Sequence, residues 1–585
     1  MRNEFKKVVF RILAFLLIVS LPLVAQAGDY VVLNKTTPLI NQIKTKGATY
    51  EIRDDFDLGG KTLIVPEGCI LLFRGGMISN GQVVFNNTFM DGFVKVALSK
   101  GQTVRGKLAN DAIYTKWFEI EKNGLSSLLT GLLKDNEGKE FIIEKGIYDI
   151  EEPLVLCKLT GVTLDFNGST LVDKVKGDNL SLHRANPMIW IRESHDVTIT
   201  NFDYEVSDNR YFSKTGTAII WLGAISQDWD TDIYGITISN ISGKGNLVRK
   251  VRGGTSENMF ISGVGNMHNI NVHNVQYDGD LATLCNFEYG LQPGDSKFYK
   301  KHKIDIPEYY GLHPYNITIK EVVGKNAPSC TGFIRLSSCY NAVVENCYGY
   351  NVNSFIYLYN GDMSISRVNG SAIIRNCASY VNSDYKGTNV SGLLVFNVYK
   401  DPVTGQTHST GIEHNTSYII ENCEFQGKKN LSGNGIRISG GDGNVVLTNV
   451  TVKNFPLAAK LTGVVGNRKV GGISLNNCLF ENNLSSIEVY MLDNCVVEGC
   501  VFRSNISQKA NKIENSQIAI YKGVEGITLR DCVFENTSST TKASFITFEE
   551  KQSANATISN CRFQGIKEKP VVAPANIQLE NCEIK

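Results

Sequence analysis

Ile373-Ile374-Arg375-Asn376-Cys377 and Ile419-Ile420-Glu421-Asn422-Cys423 spell one short phrase twice, and the phrase decides the fold. It continues as Ile473-Ser474-Leu475-Asn476-Asn477-Cys478, Ile527-Thr528-Leu529-Arg530-Asp531-Cys532, Ala556-Thr557-Ile558-Ser559-Asn560-Cys561 and Ile577-Gln578-Leu579-Glu580-Asn581-Cys582. Upstream copies keep the grammar without the cysteine: Val197 to Asn201, Ile236 to Asn240, Ile270 to Asn274 and Ile317 to Glu321. Short strands that recur with no helix between them cannot bury an apolar face alone, so they must stack into a solenoid. The Asn position serves as a ruler, at 201, 240, 274, 321, 346, 376, 422, 449, 477, 499, 531, 560 and 581. The shortest step, from 560 to 581, fits three short strands and three turns. That is one coil of a right-handed, single-stranded parallel β-helix, an all-β solenoid whose longer steps carry loop insertions.

A second strand precedes each ruler strand. Examples are Ile219 to Leu222, Phe333 to Leu336, Phe355 to Tyr359, Leu394 to Asn397 and Ile436 to Ile438. With this as strand one, the ruler strand is strand two and the short Cys-x-Phe piece is strand three. Alternation assigns the faces: Ile334 and Leu336 point inward, so Arg335 points outward. The Asn row sits at the bend from strand two to strand three, where Asn tolerates a left-handed backbone. Insertions gather before and after strand one, at 207–215, 223–234, 243–256, 290–314, 360–370 and 399–417. Long loops bordering one sheet of a solenoid mark its working face.

The chain has 59 Lys and Arg against 58 Asp and Glu, so no global field draws it to nucleic acid or an anionic membrane. Arg2, Lys6, Lys7 and Arg11 precede an apolar run from Ile12 to Val24 and then Ala25-Gln26-Ala27. This reads as a secretory signal over 1–27, and no later segment is apolar enough to span a membrane. The expected location is the periplasm, cell surface or surroundings of a Gram-negative bacterium. An exported chain with 14 cysteines invites disulfides. Eight of them, however, share one slot of the repeat, from Cys347 to Cys582. Parallel side chains one rung apart point alongside each other rather than together, so a buried free-thiol ladder is expected. Residues 28–115 read as an N-terminal β-rich segment or first irregular coils, and 116–585 as the β-helix. Leu125 to Lys134 is the one convincing helix, suited to covering an end of the core.

The coil grammar resembles the pectin-lyase-like superfamily of parallel β-helices over roughly 145–585. The Asn row, the inward aliphatic stacks and the unextended second bend carry the likeness. The resemblance implies a carbohydrate-active protein whose site lies on the outer face of strand one. Polygalacturonases of this superfamily carry Asn-Thr-Asp, Asp-Asp, Gly-His-Gly and Arg-x-Lys motifs on successive coils. Here Gly279-Asp280-Leu281 holds one of the paired acids and the other motifs are absent from their places, which weighs against that subclass. No cofactor or metal is predicted; calcium, used by other members, has no recognisable ligand pattern.

The outer face of strand one supplies the candidates. Arg335 would neutralise a uronate carboxylate, Tyr357 or Tyr359 one coil on would act as base or acid, and Glu288 and Asp280 are the carboxylates for a hydrolytic alternative. Trp221, Asn286, Asn397, Arg437, Lys460, Glu488 and Tyr490 would line a groove, because aromatic faces stack on sugar rings and cations pair with uronate or sulfate. Asp230, Asp232, His313, His408 and His414 lie in the wall loops. The expected partner is therefore a polysaccharide, uronic or sulfated, cleaved by β-elimination. Glycoside hydrolysis and non-catalytic glycan binding are the alternatives, and the oligomeric state is open.

Overall fold

The computed structural model describes residues 29–91, 98–99, 102–176, 186–212, 216–223, 232–251, 254–288, 313–359, 370–396, 398–400, 407–409, 416–439, 443–463, 472–492, 494–504, 516–537, 544–549, 555–566, 569–573, 577 and 579–585. The segment read as a signal lies outside them. The chain divides into two compact units, Met1–Glu121 and Lys122–Lys585. In the first, Tyr30–Val32, Thr49–Ile52, Ile70–Phe73 and Gln82–Met90 pair in parallel, as do Thr62–Ile64, Gln82–Met90 and Thr103–Leu108. These are short irregular coils around Tyr50, Leu71 and Phe85.

The second unit is the solenoid. Its strand-one sheet has fourteen parallel strands. They are β1 Leu154–Cys157, β2 Ile189–Arg192, β3 Ala218–Leu222, β4 Met259–Val264, β5 Thr283–Glu288, β6 Ile334–Ser337 and β7 Ser354–Tyr359. They continue as β8 Ser391–Phe396, β9 Asn434–Ser439, β10 Leu457–Thr462, β11 Ser485–Tyr490, β12 Ile518–Ile520, β13 Ile546–Phe548 and β14 Val571–Val572. Ile334, Ile356, Leu393, Ile436, Ala459, Ile487, Ile518 and Ile546 are successive partners in register, and all are buried. Strand two stacks likewise through Ile319, Val344, Ile374, Ile420, Leu447, Leu475 and Val497. Strand three contributes the rings of Phe480, Phe502, Phe534 and Phe563, stacked at 4.8 to 5.1 Å. Fully burying one such side chain is worth about 1.5–3 kcal/mol.

The Asn ruler is a backbone device. Asn201, Asn240, Asn274, Glu321, Asn346, Asn376, Asn422, Asn449, Asn477, Asp531, Asn560 and Asn581 all have φ between 52° and 64°. Gly499, at the same place in its coil, has φ 62°. A left-handed residue turns the chain from strand two into strand three in one step. It costs most L-residues about 1–2 kcal/mol, and Asn, Asp and Gly least. Some of the amides also bond up the stack: Asn274 Nδ2 donates to Asn240 Oδ1 at 2.7 Å and Asn449 Nδ2 to Asn422 Oδ1 at 3.1 Å.

The fourteen cysteines are free, as expected. The thiols do more than fill space. Cys377 Sγ lies 3.2 Å from Arg375 O and 3.7 Å from Val344 O, and Cys423, Cys478, Cys532 and Cys561 repeat that arrangement. The weak S–H donor thus serves carbonyls beside the bend. Burial pushes the thiols of Cys330 and Cys495 up to about 12, so they stay protonated and unreactive. The helix Leu125–Leu133 packs Leu129 and Leu132 against β1 and Ile147–Ile150. Where Thr163–Asp173 ends, Asp173 Oδ1 meets Arg210 Nε at 2.7 Å with both side chains fully buried. Tyr204 donates to the same carboxylate at 3.3 Å, and Arg210 to Val175 O at 3.0 Å.

Two outcomes follow. A thiol reagent applied to the native protein should modify at most Cys157 and Cys582, the two that are not buried, with the other twelve reacting only in denaturant. Asp173→Ala should destabilise by about 3–5 kcal/mol because it strands the buried Arg210 charge, whereas the paired change Asp173→Leu with Arg210→Met should cost far less. Urea denaturation of the three proteins checks this.

Candidate functional site

Outward side chains of the strand-one sheet form two columns. In the first, Trp221, Ser262, Asn286, Arg335, Tyr357, Leu394, Arg437, Lys460 and Glu488 are successive partners, one rung apart. In the second, two residues on, Glu288, Ser337, Tyr359, Phe396, Ser439, Thr462 and Tyr490 align. The sequence expectation that distant residues become neighbours on this face holds for Arg335 with Tyr357 and for Arg437 with Lys460.

The lower part of the face is covered. Trp221, Asn286 and Glu288 were expected to line an open groove, yet all three are buried, with Ser262. Asn286 Nδ2 donates to Ser262 Oγ at 2.9 Å. The face opens from Arg335, whose side chain is 26% exposed and whose Nη2 lies 3.8 Å from Glu288 Oε2. Asp280 does not join Glu288: they flank opposite ends of β5. Asp280 accepts from Ser329 N at 2.9 Å and Ser329 Oγ at 2.6 Å, holding a turn, and Asp278 accepts from Asn326 Nδ2 at 2.8 Å. Asn397, Asp230 and His414 lie outside the described residues, as does the side chain of His408. On β8 the outward positions belong to Leu394 and Phe396. Asp232 reaches a stacked histidine, His195, at 3.8 Å.

From Arg335 upward, each cation of the face lies on a ring. The Arg335 guanidinium lies 5.6 Å from the Tyr357 ring centre, Arg437 lies 4.9 Å from that of Phe396, and Lys460 Nζ lies 5.0 Å from that of Tyr490. Tyr357 packs against Tyr359 and Phe396 at 5.9 and 5.5 Å, and Tyr490 stacks on Tyr521 at 4.1 Å. Glu488 accepts from Tyr490 Oη at 3.0 Å. Burial raises the pKa of Tyr357 and Tyr359, opposed in part by Arg335. Burial likewise raises Tyr490, helped by its hydrogen bond to Tyr521. These phenols are therefore protonated at neutral pH and act as donors. The sequence left Tyr357 and Tyr359 as base or acid; in this setting both phenols carry their proton.

Part of strand three neutralises its own charge. On strand three Glu424, Lys453, Glu481, Arg503 and Glu535 alternate in sign rung by rung, with contacts of 3.3, 3.8, 3.2 and 2.6 Å. Among the described residues Arg437 and Lys460 have no ion pair. Ser337 and Phe396, which the sequence reading passed over, also lie on this face, and their parity with Arg335 and Leu394 was the available signal. His313 is also part of this edge. It is 4% exposed, its Nδ1 lies 3.1 Å from Ser338 O, and burial lowers its pKa to about 4. No group of three or more His, Cys, Asp or Glu among the described residues could hold a metal. No described helix is long and apolar enough to cross a membrane.

Residues 397–563 match the family described as the right handed beta helix region. The coil is a right-handed β-helix. The parallel β-helix expected from the coil grammar thus stands as the fold. No curated protein matches the chain significantly. Among solved structures, a GH87 alpha-1,3-glucanase catalytic domain in complex with nigerose is 14% identical, over 79% of this chain and 67% of that one, with a TM-score of 0.36. The Azotobacter vinelandii mannuronan C-5 epimerase AlgE4 A-module is 10% identical over 73% and 86%, with a TM-score of 0.32. The tailspike of E. coli bacteriophage HK620 (mutant E372A, with a pentasaccharide) is 10% identical over 90% and 72%, with a TM-score of 0.37. The chemistry of this chain must be argued from its own residues.

The neutral His313 gives a stability signature. Its folded pKa of about 4 lies below the unfolded value of about 6.5, so its contribution is complete above pH 6.5 and is lost as pH falls toward 4. Denaturation at pH 7 and pH 4 should show a loss of about 3 kcal/mol from this group, absent in His313→Gln.

Proposed function

We propose that this chain is an exported protein that binds an acidic polysaccharide along the outer face of the strand-one sheet and cleaves it by β-elimination at Arg335. The observation that carries the reading is the run of cations laid on aromatic rings, Arg335 on Tyr357, Arg437 on Phe396 and Lys460 on Tyr490. Arg437 and Lys460 have no ion pair among the described residues, whereas the strand-three charges from Glu424 to Glu535 are paired. Such a row suits a polymer carrying an acid on successive units, with ring faces for the sugars.

Elimination divides the work among three groups. Arg335 pairs with the uronate carboxylate and stabilises the charge that develops on it. Glu288, the carboxylate beside Arg335, takes the C5 proton. The electron pair forms the C4–C5 double bond and expels the glycosidic oxygen, which receives a proton from Tyr357 or Tyr359. Hydrolysis would require a second carboxylate about 5–10 Å from the first. Among the described residues, the next outward carboxylate on this sheet is Glu488, six rungs above Glu288 and about 29 Å away. A second reading, binding without cleavage, draws support from the burial of Glu288.

Incubation with a panel of uronate glycans separates the readings. Elimination should raise ultraviolet absorbance from the new double bond, and Tyr357→Phe and Arg335→Ala should each lower that rate by about 100-fold or more while the fold is kept. New reducing ends without that absorbance would mean hydrolysis, and saturable binding with neither would mean an adhesive role.

A further inference from the structure

Beside Arg335 the sheet holds polar atoms that the protein leaves unanswered. Asn286 Oδ1, Arg335 Nε and Ser337 Oγ are buried, and among the described residues none has a hydrogen-bond partner. Asn286 and Ser337 are 0% exposed. A buried polar group without a partner costs about 1–3 kcal/mol, and three on two neighbouring strands are a concentration that stability alone does not favour. Asn286 and Arg335 are direct partners across the β5–β6 pair, and Ser337 stands two residues beyond Arg335 on the same face. The three therefore converge on one place, at the covered edge of the open face.

Their chemistry is complementary to one kind of ligand. Because Asn286 donates its amide N–H to Ser262, its free atom is the carbonyl oxygen, which needs a donor. Arg335 Nε needs an acceptor, and the Ser337 hydroxyl can serve either. We propose that Asn286, Arg335 and Ser337 form a subsite for a single sugar acid bearing a free hydroxyl beside its carboxylate, and that this subsite rejects residues whose hydroxyl is esterified. This rests on the acidic-glycan reading and narrows it. A sulfate ester offers only acceptors and leaves Asn286 unsatisfied. An O-acetyl group removes the donor and adds bulk at a buried position. A uronate hydroxyl satisfies Asn286 while its carboxylate meets Arg335.

The test is calorimetric titration of the full chain in a Tyr357→Phe, Tyr359→Phe background, which removes both candidate proton donors and keeps the rings. The probes are galacturonate and mannuronate hexamers, each unmodified and O-acetylated, and a sulfated galactan hexamer lacking carboxylates. The unmodified uronate should bind at least about tenfold more tightly than its acetylated form. Asn286→Leu and Ser337→Ala should each weaken unmodified uronate by about tenfold and leave the acetylated form unchanged. Ser337→Ala removes one oxygen, so it retains the fold if the larger change does not, and circular dichroism verifies both. Equal binding of acetylated and unmodified uronate, unchanged affinity in both variants, or a preference for the sulfated galactan would overturn the subsite and leave acidic-glycan binding standing. No binding of any probe would overturn both.

Discussion

One constraint governs this molecule: every coil must pass from its second strand to its third through a single residue with a left-handed backbone. Because the turn is one residue long, it admits no slack. Each coil therefore enters strand three at the same height and phase as the coil beneath it. A shift of one residue would send the aliphatic stack of Ile374, Ile420 and Leu447 outward and bring Arg375 and Glu421 into the core. Length variation is thus pushed to the two other turns, where extra residues do not disturb register. Both of those turns border strand one, and the loops gather there as a geometric consequence.

The same register sorts the charges. Parallel in-register strands place residues at one slot about 4.8 Å apart, close enough that like charges would repel up the whole stack. On strand three the sequence answers with alternating signs from Glu424 to Glu535. Each such exposed pair is worth little, and its value lies in relieving repulsion. Strand one follows a different rule: Arg335, Arg437 and Lys460 each lie on a ring, and burial drives Tyr357, Tyr359 and Tyr490 toward the neutral form. Arg437 and Lys460, over aromatic faces and without an ion pair among the described residues, keep part of their attraction for an incoming anion, whereas a cation already paired with a carboxylate would have to release it first. That difference between faces of one solenoid singles out the strand-one face.

Much of this was legible in the chain. Every ruler position proved left-handed, including Glu321 and Asp531, which are not Asn, while left-handed residues at other bends, such as Asn351 and Asn482, carried no such signal. The shared cysteine slot foretold free thiols, though not their contacts with carbonyls two residues back, which depend on how the bend tilts. Alternation placed Arg335 and Tyr357 side by side. It failed to tell an open face from a covered one, because period two reports only which side of a sheet a residue occupies. Trp221, Asn286 and Glu288 point outward and are still buried. Asp280 was grouped with Glu288 by closeness in sequence, but a strand of extended chain separates them. The reading of Asn397 passed over the alternation itself, since Val395 points inward and Phe396 outward.

The covered edge is also where the fold and the chemistry meet. A β-helix grows by repeating a coil, and its stability comes from neighbouring rungs alone, so two adjacent rungs can be altered with little effect on the rest. The rungs of β5 and β6 carry that freedom here: Asn286, Glu288, Arg335 and Ser337 replace the β-branched and aromatic residues that would pack such a surface well. A site built this way is held by backbone register rather than by mobile loops, so its polar atoms are fixed before any ligand arrives. Fixed, desolvated donors and acceptors are what make discrimination between a hydroxyl and its ester possible, because an ester would leave a buried amide oxygen with nothing to accept.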